Sequence, residues 1–138
     1  MPAMEMSHDV DPKQAILDKV GDLSNVDIFG SDVLVALYIP PEKTKSGIIL
    51  ADSTREESRW QGKVGLILKL GSTAYVDDDG NKFRDIDVGD WVVFRPSDGW
   101  PFQLNTMKSR ISRESIVDCR VVTDINIRCR VANPDVVY

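Results

Sequence analysis

Lys43-Thr44-Lys45-Ser46-Gly47-Ile48-Ile49-Leu50-Ala51-Asp52 is the stretch on which the reading of this chain turns. Two lysines, small polar residues and a glycine lead into three consecutive large apolar residues. A run of charge and hydroxyls follows, Asp52-Ser53-Thr54-Arg55-Glu56-Glu57-Ser58-Arg59. Flanks of this composition offer little apolar surface to offset the entropy of ordering them. The triplet Ile48–Leu50 is therefore either a very short strand or a hook meant to be buried in something else. Periodicity alone favours the strand.

Working outward, the segments on both sides read as strands. Phe29-Gly30-Ser31-Asp32-Val33-Leu34-Val35-Ala36-Leu37-Tyr38-Ile39 is β-rich, and Pro40-Pro41 ends it because proline cannot donate to a ladder. Trp60-Gln61-Gly62-Lys63-Val64-Gly65-Leu66-Ile67-Leu68-Lys69-Leu70-Gly71 is a second strand, with glycines suited to bulges or bends in a curved sheet. Tyr75–Phe83 carries a hairpin signature, in which Asp79-Gly80 supplies the left-handed turn residues. Asp87-Val88-Gly89-Asp90 turns tightly into the apolar run Trp91-Val92-Val93-Phe94, and Pro96–Pro101 reads as another turn. Residues 102–112 read as loop with some strand. Ile116–Val122 and Ile125–Val131 alternate with period two, as strands with one face inward do. Upstream, Asp11 as N-cap, Pro12 at the first position and Gly21 as stop frame a helix with Ile16, Leu17 and Val20 on one face. At about three turns it is too short to stand alone and is expected to dock on its own domain.

Bulk composition narrows the function. The chain has 138 residues, 42% hydrophobic and 28% charged, which suits one domain of ordinary globular composition. A net charge of -5 argues against a general nucleic-acid binder, whose affinity rests on neutralising phosphates. No apolar run approaches the length of a membrane span, and no signal peptide is apparent. The two cysteines, Cys119 and Cys129, lack metal-type spacing and read as free thiols of a reducing cytoplasmic compartment.

No catalytic constellation emerges. His8 is the single histidine and sits in a weakly patterned lead, so neither a serine nor a cysteine nucleophile has a base. No dinucleotide fingerprint or phosphate loop occurs, so no cofactor is expected. The pairs Asp85/Asp87 and Glu56/Glu57 lie in turn or loop segments without apolar surroundings to separate their pKa values. A calcium loop starting at Asp77 fails, because its sixth position is Lys82 instead of glycine and its twelfth is Val88 instead of glutamate. Asp77, Asp78, Asp79 and Gly80 read instead as a solvated acidic tip, and no metal is expected. The basic residues from Lys108 to Arg130 alternate with acids and lack interleaved aromatics, which suits a mixed surface or a subunit interface better than nucleic acid. Many short strands, aspartate and glycine turns and a single helix define a mostly β chain, a small barrel or sandwich.

With these parts placed, their order resembles the GroES-type co-chaperonin family. Asp32-Val33-Leu34-Val35 resembles the family's first barrel strand. Thr44-Lys45-Ser46-Gly47-Ile48-Ile49-Leu50 resembles its mobile loop, Gly62-Lys63-Val64 its Gly-Glu-Val opening of the next strand, and Asp77–Asn81 its roof hairpin. Asp87-Val88-Gly89-Asp90-Trp91-Val92-Val93-Phe94 resembles its Val-Gly-Asp strand, and Val121–Val131 fits the closing strands. The likeness covers about residues 28–132, with the mobile loop at 43–60 and the roof hairpin at 75–83. Residues 1–27, with the short helix, form an N-terminal extension, and 133–138 a C-terminal arm. Those extensions, a long segment from Trp100 to Glu114, and Pro40-Pro41 depart from the pattern. Such departures fit a divergent member, for example a virus-encoded one, and also fit a barrel reused elsewhere.

The resemblance implies a GroES-like β-barrel that assembles as a homo-oligomeric ring, a heptamer, and caps a GroEL-type chaperonin cylinder during its ATP cycle. It reverses the order of the two readings of the triplet. Ile48, Ile49 and Leu50 would enter an apolar groove of the chaperonin apical domain, with Gly47 giving the turn its freedom. Asp77, Asp78, Asp79 and Gly80 would form the roof. The protein would act in the cytoplasm, that of the host if virus-encoded, without cofactor, nucleic acid or membrane. The alternative is a structural or decoration component of a virion, in which the extensions contact neighbours. A third reading, a fragment of a dehydrogenase with a GroES-like barrel, lacks both the dinucleotide fingerprint and the metal ligands.

Overall fold

A computed structural model describes residues 11–38, 63–105 and 116–134 of the chain. The order of elements is α1 (Pro12–Val20), β1 (Asp32–Leu37), β2 (Val64–Leu70), β3 (Trp91–Val93), β4 (Trp100–Leu104), β5 (Val117–Thr123), a 3-10 turn (Asp124–Asn126) and β6 (Cys129–Val131). The strands form one six-stranded antiparallel sheet in the order β4-β5-β1-β2-β3-β6. The mostly β, barrel-type fold expected from the sequence is what the chain adopts.

β1 is the centre of the sheet, paired to β2 on one side and β5 on the other, with Val33 opposite Leu70 and Val122. Its apolar run is continuous because both of its faces are covered. Val33, Val35 and Leu37 join Ile67, Tyr75, Ile86, Val92, Phe94, Val122 and Ile127 in one core. Leu34, Ala36 and Tyr38 join Val64, Leu66, Leu68, Trp91, Val117 and Cys119 in a second core on the opposite face. A strand buried on both faces carries no alternation. The register between β1 and β2 slips between Leu34 and Val35, a bulge of the kind that bends a curved sheet.

The helix explains how the second face is covered. Val20 is buried in the second core, and Ile16, Leu23, Val26 and Ile28 pack against it. The helix therefore docks on its own domain, as its length requires. Pro12 starts it and Gly21 ends it, with the Gly21 N–H donating to Leu17 O at 3.1 Å, but the Asp11 carboxylate makes no cap bond. Its first turn reaches the β2–β3 turn, where a Cβ on Gly89 would lie 3.1 Å from Lys13 Nζ. No helix among the described residues is long and apolar enough to cross a membrane.

Two segments differ from the sequence reading. Trp100 and Pro101 belong to strand β4 and not to the preceding turn, because Gly99 (φ +82°) already reverses the chain. Ile125 and Asn126 form a 3-10 turn in place of a strand, because Asp124 accepts the Ile127 N–H and closes the chain on itself.

Candidate functional site

The ends of β1 and β2 bracket residues 39–62. β1 ends at Leu37, opposite Gly65, and the Tyr38 N–H then donates to Val64 O at 3.1 Å. On the return, Lys63 O accepts the Phe94 N–H at 2.9 Å. Tyr38 and Val64, which flank residues 39–62, thus stand side by side and hydrogen-bonded. Close approach is required here: a Cβ on Gly65 would lie 3.0 Å from Ala36 O and 3.3 Å from Phe94 Cε1. The Tyr38 ring stands edge-on to Trp91, with centroids 5.9 Å apart and planes at 83°. Both rings are buried, so this aromatic pair anchors the chain just beyond the end of β1. Gly47, Ile48, Ile49 and Leu50 lie outside the described residues.

The acidic hairpin holds its tip through its own first aspartate. Asp77 Oδ1 accepts the N–H groups of Asp79 (3.0 Å) and Asn81 (2.9 Å), while Asp77 N–H donates to Asn81 O and Asp77 O accepts the Gly80 N–H. Gly80 takes the left-handed conformation (φ +82°); Asp79 does not. This is a turn closed by a glycine bulge, not two left-handed residues in a row. The bridge Val76–Lys82 pairs the two arms. Asp77, Asp78, Asp79 and Gly80 are all exposed, a concentrated negative tip on a short stalk. Among the described residues no group of three His, Cys, Asp or Glu side chains is placed to hold a metal ion.

The foot of that stalk was not visible in the sequence. Tyr75 is fully buried yet sits at φ 60°, the one described non-glycine residue in the left-handed region. Its N–H donates to Asp124 Oδ2 at 2.8 Å, and Asp124 is itself buried. Asp124 Oδ1 takes the Ile125 N–H at 2.7 Å, and the Asp124 N–H donates to Ser31 O. Tyr75 O accepts the Phe83 N–H at 2.8 Å, and the Phe83 ring stands edge-on to Tyr75 at 5.9 Å. Burial, reinforced by the Asp124 carboxylate, pushes the Tyr75 hydroxyl up to about 12. An aspartate immediately after a strand rich in valine is the signal that points to such a backbone-capping role.

A second buried polar group fixes the far edge. Arg120, almost fully enclosed, donates to Pro96 O and Asp98 O and lies 5.8 Å over the Phe94 ring. Arg95 pairs with the Asp98 carboxylate at 3.2 Å. Together they hold the β3–β4 turn against β5. Both cysteines are free thiols, Cys119 buried and Cys129 exposed.

The family model of the chaperonin 10 Kd subunit matches residues 25–119. That is more than half of the chain and takes in β1 to β4, residues 39–62, the hairpin and the start of β5. The chain belongs to this family. Its curated relatives include the co-chaperonin GroES of Anoxybacillus flavithermus, 30% identical over 86 residues that cover 62% of this chain and 87% of the relative. The co-chaperonin GroES of Parageobacillus thermoglucosidasius is 29% identical over 86 residues with the same coverage. Within the chaperonin 10 framework, α1, Asp124 and β6 stand outside the matched segment. β6 nonetheless continues the same sheet through its pairing with β3, and α1 packs on its second core.

Proposed function

We propose that this protein is a co-chaperonin that caps a GroEL-type chaperonin through its long loop during the partner's ATP-driven cycle. Membership of the chaperonin 10 family is the observation that carries the reading, and the stem geometry gives it a physical form. A loop whose two ends are pinned side by side presents its apex without disturbing the barrel. In this reading Ile48, Ile49 and Leu50 enter an apolar groove of the apical domain, and Gly47 allows the turn before them.

The energetics fit a reversible cap. Burying one aliphatic side chain contributes about 1.5–3 kcal/mol. Ordering a polar loop takes back much of that gain. A single loop then binds weakly, and several loops on one ring, a heptamer in this reading, bind together with avidity. The partner's own movement can release such a cap. The Asp77–Asp79 tips would gather near the ring axis as a hydrated roof, where like charges discourage adhesion of an enclosed client. The ring would work in the cytoplasm, beside its chaperonin.

The test is negative-stain microscopy and pull-down of the pure protein with a chaperonin cylinder and ATP, repeated with Ile48→Ser/Ile49→Ser. Capped cylinders that disappear in the double variant are the expected result. Stable oligomers that cap no cylinder would overturn the reading in favour of a structural component of another assembly.

A further inference from the structure

The hairpin joins the barrel through a knot of three chain segments, 30–32, 71–75 and 124–127. Thr73 N–H donates to Gly30 O, Gly71 N–H to Asp32 O, and Asp124 N–H to Ser31 O, at 2.8–3.0 Å. The Ser31 and Thr73 hydroxyls meet at 3.2 Å. Packing is so close that a Cβ on Gly71 would lie 2.2 Å from Gly30 O. Into this knot the chain places a bulky residue, Tyr75, in the left-handed region, which is sterically unfavourable for an L-residue. It also buries the Tyr75 hydroxyl without a hydrogen-bond partner among the described residues. Unfavourable local choices persist where the surroundings over-determine them. What over-determines this one is the buried Asp124 carboxylate, from a segment outside the family match.

We propose that Asp124 is the positioning residue of the acidic hairpin. By accepting the Tyr75 N–H it holds Tyr75 left-handed, and so sets the direction in which residues 76–82 leave the barrel. The tip has little else to orient it. The bridge Val76–Lys82 joins its arms, its turn closes on Asp77, and at its base the Phe83 N–H returns to Tyr75 itself. Turning Tyr75 to an ordinary negative φ would swing the tip without unpairing any strand of the sheet. The latch itself concerns the isolated subunit. That it aims a roof over a chamber rests on the co-chaperonin reading.

Amide hydrogen exchange on the full-length protein separates the two. In Asp124→Ala the amides of Tyr75, Asp77, Asn81 and Phe83 should exchange about ten- to a hundredfold faster, the loss of one hydrogen bond to a charged acceptor. Those of Val35, Ile67 and Val92 should stay at parent rates. Tyr75→Phe, which keeps the backbone latch, should leave hairpin exchange unchanged. Hairpin rates within twofold of the parent in Asp124→Ala, or an equal rise at every amide, would overturn the proposal. If Asp124→Ala does not fold, Asp124→Asn replaces it, since its carboxamide retains one acceptor for two N–H donors. Faster exchange confined to the hairpin remains the expected result and uniform exchange the overturning one. Capping of a cylinder by the parent is scored independently, so a failed cap and a failed latch give different results.

Discussion

The Tyr38 ring meets Trp91 edge-on at 5.9 Å just beyond the end of the central strand β1. Both rings are almost fully enclosed, so each contributes apolar burial as well as the ring contact. Tyr38→Ala or Trp91→Ala should lower unfolding free energy by about 3–5 kcal/mol, read from urea transitions. If the pair serves the loop, the milder Tyr38→Phe should keep chaperonin capping. Tyr38→Ala, assayed where it is still folded, should weaken it.

Gly65 offers a sharper probe of the stem. A methyl group there would meet Ala36 O at 3.0 Å, Val35 Cβ at 3.1 Å and Phe94 Cε1 at 3.3 Å. Gly65→Ala should destabilise the protein by about 1–3 kcal/mol through overpacking. Gly71→Ala, facing backbone at 2.2 Å, should not yield folded protein at all. Circular dichroism of the purified variants decides both.

Arg120 is a buried cation whose removal would strand two carbonyl oxygens, Pro96 O and Asp98 O, and strip the Phe94 face. Arg120→Ala should cost about 2–4 kcal/mol. Lysine lacks the planar guanidinium that lies over the Phe94 ring while its Nη1 reaches both carbonyls, and should rescue only part of it. Thermal denaturation of the two variants side by side gives the comparison.

Alkaline pH should unfold the domain earlier than its surface chemistry suggests. Burial raises the Cys119 thiol from 9.0 to about 12 and the Tyr75 hydroxyl from 10.0 to about 12. For an acid with a raised folded value, the native state keeps a proton that the unfolded chain releases. The associated stability is complete below pH 9 and is lost as pH climbs toward 12. Urea midpoints should fall from pH 9 to pH 11, and less steeply in Cys119→Val. Under native conditions near pH 8 a thiol reagent should modify Cys129 alone, with Cys119 reacting only after denaturation.

How far these features were legible in the sequence depends on what kind of physics fixed them. β1, β2 and β3 were readable because Val33–Leu37, Val64–Leu70 and Trp91–Val93 are apolar runs bounded by proline or by glycine turns. The helix was readable from Pro12, Gly21 and one apolar face. The family resemblance was readable because the landmark segments keep their order, and the family match confirms it. Trp100 was misplaced because Pro101 suggests a turn, whereas an edge strand tolerates proline wherever no ladder donor is needed. The 3-10 turn at Asp124 was missed because Ile125, Ile127, Cys129 and Val131 alternate like a strand. The Tyr75–Asp124 bond joins positions far apart in the chain and uses a backbone N–H, which no side-chain pattern announces.

The pairing of β1 with β5 also governs when this domain can form. Asp32 lies opposite Thr123 and Ala36 opposite Cys119, so the central strand of the sheet gains its second partner only from a distant part of the chain. During synthesis, β1 emerges early with two apolar faces and one bare edge, and waits for the ribosome to deliver residues 117–123. Folding of such non-local topology is slow, because loop closure precedes the contacts that reward it. A nascent chain in that interval exposes the kind of surface that chaperonins bind. A protein of the co-chaperonin family thus passes, on its way to its own fold, through a state with the properties of a client.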